Sequence, residues 1–149
     1  MIIRELIGFE PESQGTRLSE AVRYLTNVNK KRCTAFLLSD FMTAHSDKEA
    51  LEDALKIAGK KHDIVGIRIY DEREAELPDV GIIELQDAET GRKVWVDSSS
   101  RRVRVHYAES WRERDEAIGE LLRRHRIDTA TISTNEDYVA ELIKLFKQR

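Results

Sequence analysis

The sequence contains little cysteine and no long hydrophobic run. Its single cysteine, Cys33, excludes an intrachain disulfide and fits a reducing compartment. No apolar stretch approaches the roughly 18 residues that a membrane-spanning helix needs. Arg4 and Glu5 stand too near the start for the apolar core of a signal peptide. Together these absences predict a cytoplasmic protein that does not span a membrane.

Neither sign of charge dominates the sequence. The 25 lysines and arginines and the 28 aspartates and glutamates are mixed along 149 residues and leave a formal net charge of −3. A nucleic-acid-binding arm or a polybasic membrane tether needs a run of positive charge, so neither is expected. The hydrophobic fraction of 40% is high enough for a packed core. The chain is therefore predicted to form a single globular domain over residues 1–149.

Helical and extended patterns alternate along the chain. Apolar residues at helical spacing predict helices at residues 2–8, 16–28, 46–58 and 110–125, and a last helix after residue 137. Apolar and β-branched runs predict strands at residues 34–40, 63–71 and 128–134, and a β-hairpin with strands at 82–85 and 94–96. Residues 98–108 alternate like an edge strand, although an irregular connector also fits. This order predicts an α/β fold whose sheet has right-handed crossovers.

Local signals set the expected helix ends and faces. Residues 46–49 and 134–137 have the pattern of capping boxes, and Gly59 is expected to end the helix that begins at residue 46. Residues 63–71 are nearly continuous in apolar side chains, as is typical of a parallel strand covered by helices on both faces. On the helix at 16–28, the inward stripe is expected to consist of Leu18, Ala21, Val22 and Leu25.

Polar residues follow the three strands that are predicted to be parallel. They are Ser39 and Asp40, Asp71 and Glu72, and Thr134 and Asn135. In open α/β sheets the carboxyl ends of parallel strands meet at one edge, where ligands bind. With Thr16 from the loop before a helix, the hydroxyl and carboxylate oxygens there suit a divalent cation such as Mg²⁺. The same residue types also form turns and cap helices, and spacing alone favours that structural role.

Other side chains indicate structure rather than chemistry. His62 opens a strand beside Asp63 and is expected to be a hydrogen-bonded structural histidine. The remaining histidines have no partner at the spacing of zinc ligands. Trp95 and Trp111 are expected to pack on the domain, with a contact surface as the alternative. A small basic cluster is expected to lie on a solvated face and consists of Arg101, Arg102 and Arg104.

Three stretches carry a family resemblance: "FLLSDF", "KHDIVGIRIYDEREAELPDVGIIELQDAETGRKVWVDSSS" and the terminal "DYVAELIKLFKQR". The most specific patterns, RE-x-ELPD-x-G and D-x-ETG-x-x-x-W-x-D, lie between His62 and Asp97. With them the chain resembles, over nearly its whole length, the C-terminal half of the bacterial Domain of Unknown Function fifty-eight family. The resemblance implies a von Willebrand factor type A-like fold, in which a partial doubly wound, mostly parallel sheet is flanked by helices and carries an inserted β-hairpin.

The resemblance also implies a metal site. Better-known relatives build a metal-ion-dependent adhesion site from a D-x-S-x-S segment, a threonine and an aspartate. Thr16 matches the threonine and Asp40 the aspartate, but the sequence contains no D-x-S-x-S. The implied metal set, Thr16 and Asp40, is therefore incomplete, and Mg²⁺ is expected only if the N-terminal half is supplied. The chain is expected to be the back part of a larger protein. Its strand at 34–40 would then present an open edge through which a homodimer forms.

The function implied by the resemblance is a protein-interaction or scaffold module, with a MoxR-type AAA ATPase as the partner. No enzymatic activity and no bound cofactor are expected, because no nucleophile–base pair can be argued from spacing. Two alternatives stay open. One is an Mg²⁺-dependent phosphoryl-transfer or receiver-like domain, although the strand that ends in Thr134 and Asn135 lacks the lysine that receiver chemistry needs. The other is a structural fragment without a site of its own.

Overall fold

The computed structural model describes residue 8 and residues 16–42, 47–86 and 91–149. In the three longer ranges the helices are α1 (Leu18–Val28), α2 (Lys48–Lys61), α3 (Glu72–Ala75), α4 (Arg101–Arg124) and α5 (Tyr138–Gln148). The strands are β1 (Thr34–Ser39), β2 (Asp63–Tyr70), β3 (Ile82–Gln86), β4 (Lys93–Asp97) and β5 (Asp128–Ser133). The helix predicted at residues 2–8 lies outside the described residues, apart from residue 8. No helix in the described ranges is both long enough and apolar enough to cross a membrane.

Three strands form a parallel sheet in the order β1-β2-β5. β2 is central because its residues pair with β1 on one side, where Phe36 lies opposite Val65, and with β5 on the other, where Ala130 lies opposite Ile67. The predicted α/β fold and the parallel strands are confirmed. β2 is buried from Ile64 to Arg68, as its continuous apolar run predicts. β1 is an edge strand in the described part of the chain, also as predicted.

One face of this sheet, called here the covered face, carries Ala35, Leu37 and Ile64 and packs against α1, α2 and α4. The helix α2 supplies more of the buried core residues than any other element, because its apolar residues recur at three- and four-residue spacing. The buried core residues are Val22, Leu51, Ala54, Leu55, Ala58, Ile64, Leu122 and Ile127, together with Phe41. On α1 the predicted inward stripe is confirmed for Val22, Leu18 and Leu25 but is wrong for Ala21, which is exposed.

The other face, called here the open face, carries Phe36 and Leu38 of β1 and Val65 and Ile69 of β2. Of the described helices, α5 packs on this face, where its Leu145 contacts Val65 and Ala130. This helix covers the edge strand only in part, so that 44% of Phe36 and 62% of Leu38 is exposed. A run of four apolar residues in β1 is therefore half in the core and half at the surface.

The long helix α4 corrects the prediction for residues 98–108. These residues are neither an edge strand nor an irregular connector, because the helix begins at Arg101 and continues to Arg124. The alternation in "RRVRVHY" resembles a strand pattern. Among the partly buried residues, however, Val103, Tyr107 and Trp111 follow one another at four-residue spacing, which is the period of a helix. The helix predicted at 110–125 is confirmed as the second half of α4.

Two predicted helix boundaries also change. Gly59 does not end α2, which runs to Lys61 with His62 as its C-cap. Thr134 does not cap α5; the cap is Asp137, whose side chain accepts a hydrogen bond from the backbone N–H of Val139 at 2.9 Å. Of the other predicted capping box, Ser46 lies outside the described residues. Asp47 occupies the N-cap position of α2 without a capping bond of its own and instead accepts from the N–H of Ser19 at 3.1 Å, joining α1 to α2.

The predicted β-hairpin is confirmed as the antiparallel pair β3 and β4, although most of its turn lies outside the described residues. Glu84 faces Trp95 across the strands, and Leu85 faces Val94. Ser98, which is fully buried, ties the base of the hairpin together by donating from its hydroxyl to the carbonyl of Gly81 at 2.7 Å. The packing expected for Trp95 is wrong, since 68% of this side chain is exposed.

Candidate functional site

The carboxylate that ends β1 has a local structural role. Asp40 Oδ1 accepts hydrogen bonds from the backbone N–H of Met42 at 3.0 Å and from the hydroxyl of Ser39 at 3.3 Å. Between them, Phe41 has a φ of 57°, in the left-handed region that a bulky residue rarely adopts. This turn sends the Phe41 ring into the core, where it lies against Gly66. Asp40 thus stabilises a strained reversal at the end of the strand.

The polar residues after β2 and β5 also form turns and caps. Asp71 caps the short helix α3 by accepting from the N–H of Arg73 at 2.8 Å. Its other carboxylate oxygen accepts from the hydroxyl of Thr134 at 3.4 Å, which joins the ends of the two strands. Ser133 accepts from the N–H of Asn135 at 3.3 Å. The capping role that spacing favoured is confirmed for Asp71, and the parallel strands bring the ends of β2 and β5 to one edge as predicted.

Thr16 and Asp40, the predicted metal ligands, line the same cleft and are both exposed. Mg²⁺ requires six oxygens in nearly octahedral geometry. In the described part of the chain no group of three or more histidines, cysteines, aspartates or glutamates could hold a metal ion. One oxygen of Asp40 is also engaged by its own turn. These two residues alone do not make a magnesium site, and the metal stays a prediction that needs further ligands.

The cleft that these residues border, called here the hairpin cleft, has a volume of about 1070 Å³. It is bordered by the carboxyl end of β1, the start of α2, the hairpin β3–β4 and the part of α4 from Tyr107 to Arg124. The hairpin contributes mainly one of its two faces, and the apolar residues that line the cleft from it are Leu85, Val94 and Val96. The opposite wall comes from α4 and includes Tyr107, Trp111, Ile118 and Leu121. Two apolar walls therefore face each other across an open space.

Charges of both signs surround these walls. Glu49, Glu52, Glu74 and Glu120 line the cleft together with Lys48, Arg92, Arg114 and Arg124. Arg124 Nη1 lies 2.8 Å from Glu52 Oε1, and this hydrogen bond lowers the pKa of the Glu52 carboxyl. His125 Nε2 lies 3.5 Å from the same oxygen. The arrangement can bind apolar side chains that are flanked by charged or polar groups.

A buried charge supports the end of the cleft nearest the sheet. Arg68 is only 5% exposed, and its guanidinium forms an ion pair with Asp115 of α4. The same group lies 5.5 Å from the ring centre of Trp111 and 6.0 Å from that of Tyr70, in cation–π contact with both. Burial lowers the pKa of Arg68. Arg68 thereby fixes α4, and the cleft wall that α4 carries, to the central strand.

Sequence reasoning missed the role of Arg68, although the residue gave a signal. It is the only charged residue between Ile64 and Tyr70, in a strand whose apolar composition predicts burial. A charge in that position needs a partner, because an unpaired buried charge is costly. The partner, Asp115, lies 47 positions further along the chain, so that only the tertiary fold identifies it.

Other predicted residues have structural contacts. His62 is 1% exposed, and its Nδ1 lies 3.4 Å from the sulfur of Cys33, in keeping with a structural histidine. Trp111 packs on the domain as predicted, with its ring 5.6 Å from that of Tyr70. Of the basic cluster, Arg101 and Arg102 are exposed as expected, whereas Arg104 donates to the carbonyl of Ser98 at 2.6 Å and holds the start of α4 to the hairpin.

The fold and the cleft define a class: an α/β module with a helix-flanked parallel sheet and an open groove beside an added hairpin. Residues 1–117 match the family described as "Protein of unknown function DUF58". The chain belongs to this family, and the family resemblance found in the sequence is confirmed.

Proteins from mycobacteria are similar to the chain. An uncharacterized protein of Mycobacterium avium is 27% identical over 134 residues, which cover 89% of this chain and 75% of that protein. Uncharacterized proteins of Mycobacterium bovis and Mycobacterium tuberculosis are 25% identical over 134 residues, and there the chain covers 40% of their length. No solved structure matches the chain.

Proposed function

We propose that the chain is a cytoplasmic protein-interaction module, an adaptor or scaffold that holds a segment of a partner protein in the hairpin cleft. The observation that carries this proposal is the composition of the cleft, in which facing apolar walls are rimmed by both acidic and basic side chains. An apolar centre within a polar rim is the usual anatomy of a protein–protein interface. The partner segment would insert apolar side chains between the hairpin and α4.

Two further observations support a role in binding rather than catalysis. The volume of about 1070 Å³ exceeds the roughly 300–1,000 Å³ that small-molecule sites occupy, which suits a larger occupant such as a segment of a partner protein. The carboxylates at the strand ends, Asp40 and Asp71, accept hydrogen bonds from neighbouring backbone N–H groups. Such engaged groups serve as turn and cap residues and are poorly placed for proton transfer.

The finer part of the proposal is a von Willebrand factor A-like fold with a MoxR-type AAA ATPase as the partner. Its support is the resemblance of the sequence from His62 to Asp97, together with membership of the DUF58 family. The hairpin wall of the cleft lies within the segment that carries the resemblance, because Leu85, Val94 and Val96 belong to it.

A charge placed inside the cleft tests this proposal. Val94 lines the cleft and is 49% exposed, whereas Ile82 lies on the opposite face of the same hairpin and is 71% exposed. The probe is the purified MoxR-type ATPase of the same organism, with binding measured by biolayer interferometry in the presence of ATP. We expect Val94→Asp to weaken binding at least about tenfold, since a buried unpaired charge is costly. The matched control Ile82→Asp is expected to bind as the wild type does.

Two results would contradict the proposal. Equal loss of binding in Val94→Asp and Ile82→Asp would mean that the partner does not bind in the cleft. No binding by the wild-type chain would remove this ATPase as the partner. Two further measurements test the predicted metal separately: binding of the wild-type chain in EDTA, and binding of Asp40→Asn. Loss of binding in both measurements supports a metal-dependent contact. Unchanged binding in both excludes a metal-dependent contact.

A further inference from the structure

The outer side of β1 is an open backbone edge. In the described ranges, β1 pairs with β2 on one side and has no strand neighbour on the other. The N–H of Asp63 donates to the carbonyl of Cys33 at 2.9 Å, so the odd-numbered residues of this segment face β2. Successive residues of a strand point their backbone groups to opposite sides. Among the described residues, the N–H and C=O groups that have no strand partner therefore belong to Thr34, Phe36 and Leu38.

This edge lacks the features that usually protect an edge strand. The sequence of β1, TAFLLS, contains no charged residue and no proline, and its register with β2 runs without a bulge. The opposite edge strand, β5, differs because it begins with a charged residue, Asp128, whose carboxylate lies 3.3 Å from Nε of Arg149. An unprotected edge with free hydrogen-bonding groups can accept another strand.

The apolar surface next to this edge extends across the open face. Phe36 stacks edge-to-face on Phe146 of α5, with ring centres 6.2 Å apart. Leu38 is 62% exposed, Phe146 54% and Ile143 48%. A strand added to β1 would thus meet backbone hydrogen-bonding groups and an adjoining apolar surface together.

The charges at the two ends of β1 indicate which strand would pair with its open edge. Three exposed basic residues, Lys30, Lys31 and Arg32, precede the strand, and the exposed Asp40 follows it. A second copy of β1 in the antiparallel direction brings the basic end of each copy beside the acidic end of the other. A parallel copy would place like charges together. The edge is complementary to itself in the antiparallel direction.

We propose that two copies of this chain associate through antiparallel pairing of their β1 strands about a two-fold axis. Because Thr34, Phe36 and Leu38 carry the free groups, even-numbered residues must face even-numbered residues. Placing Phe36 opposite Phe36 of the second copy sets Thr34 opposite Leu38 and Arg32 opposite Asp40, and every free group of the strand then has a partner. The product is one continuous six-stranded sheet. This inference is independent of the hairpin cleft.

The association is tested first by sedimentation velocity over a concentration series from about 1 to 200 μM. The wild-type chain is expected to form a dimer. Leu38→Lys places a charge at the pairing edge and is expected to raise the dissociation constant at least about tenfold. Ile82→Lys, on an exposed strand of the hairpin, is the matched control and is expected to leave the dimer unchanged. A wild-type chain that is monomeric throughout, or a dimer that Leu38→Lys does not weaken, would overturn the proposal.

The register is tested by disulfide trapping in a Cys33→Ser background. Residues that exchange hydrogen bonds across an antiparallel pair have Cα atoms about 5.5 Å apart, within the roughly 4.4–6.8 Å that a disulfide spans. Phe36→Cys is therefore expected to form a covalent dimer under mild oxidation, seen on a non-reducing gel. Ile69→Cys, which is exposed on the open face away from the edge, is expected not to. Trapping of Ile69→Cys in place of Phe36→Cys would contradict the register.

Discussion

The two faces of the three-stranded sheet are built from the same strands but are buried to very different extents. On the covered face, Ala35 and Leu37 meet a core that α1, α2 and α4 supply. On the open face, their neighbours Phe36 and Leu38 are 44% and 62% exposed, because α5 packs over β5 and the centre of the sheet and covers β1 only in part, through the contact of Phe146 with Phe36. The comparison shows that apolar composition makes a strand able to be buried. How far it is buried depends on how many helices reach it.

The covered face is expected to give the largest loss of stability on mutation. Leu55 is fully buried in α2, so that Leu55→Ala removes packed methyl groups and leaves a cavity. We expect the free energy of unfolding to fall by about 2–5 kcal/mol, as for other large-to-small substitutions in cores. Urea denaturation followed by circular dichroism measures the change. A loss below about 1 kcal/mol would show that this face is not the main core.

Breaking the ion pair between the sheet and α4 is expected to give the second-largest loss in the free energy of unfolding. Asp115→Ala leaves the guanidinium of Arg68 buried without its carboxylate. Breaking a fully buried pair costs about 3–5 kcal/mol, and the one-third exposure of Asp115 reduces the expectation to about 2 kcal/mol. Arg124→Ala, which breaks the exposed pair with Glu52, is the control and should cost less than about 1 kcal/mol. Urea denaturation of both variants makes the test, and equal losses would contradict it.

The open face is expected to tolerate a leucine-to-alanine substitution that strongly destabilises the covered face. Leu38→Ala, at a position 62% exposed, should change the free energy of unfolding by no more than about 0.5 kcal/mol, provided that the chain is studied where it is monomeric. Compared with Leu55→Ala, this variant isolates the effect of burial on one type of substitution. A loss similar to that of Leu55→Ala would mean that other residues cover the open face in solution.

The smallest expected effect on stability comes from Asp97, which lies outside both faces at the end of the hairpin. The hydrogen bonds from the hydroxyl and N–H of Ser99 lower the pKa of Asp97 below its ordinary 3.8. Because the folded-state pKa is the lower one, the stabilisation is present above pH 3.8 and is lost as the pH falls towards the folded pKa. Asp97→Asn should lack this part of the acid dependence. Urea denaturation from pH 6 to pH 3 compares the two chains, and parallel curves would contradict the assignment.

Much of the fold follows from local patterns. The unbroken apolar run of β2 predicts a buried central strand, and the spacing of Leu51, Leu55 and Ala58 predicts the inner face of α2. The failures come where two patterns overlap: "RRVRVHY" alternates like a strand, yet forms the start of α4. The helical period shows in Val103 and Tyr107, which are both partly buried and lie four positions apart.

The candidate site was less predictable than the fold. Polar residues at the carboxyl ends of the strands were expected from the sequence, and parallel pairing does gather them at one edge. The apolar walls of the hairpin cleft were not expected, because they depend on how the hairpin stands against α4. The exposure of Trp95 has the same cause: alternation along β4 gives it the face opposite to Val94 and Val96, and only the fold decides which face meets the domain.

The sequence by itself determined the α/β class, the strands, most of the helices and the family, because these depend on residue spacing within single elements. The tertiary structure alone decided which apolar residues stay exposed, where Arg68 finds its partner and that Asp40 serves a turn. The physical reason is that burial and ion pairing are properties of contacts between distant segments. A local pattern limits which residues can make such contacts, but the packing of helices on the sheet selects the ones that do.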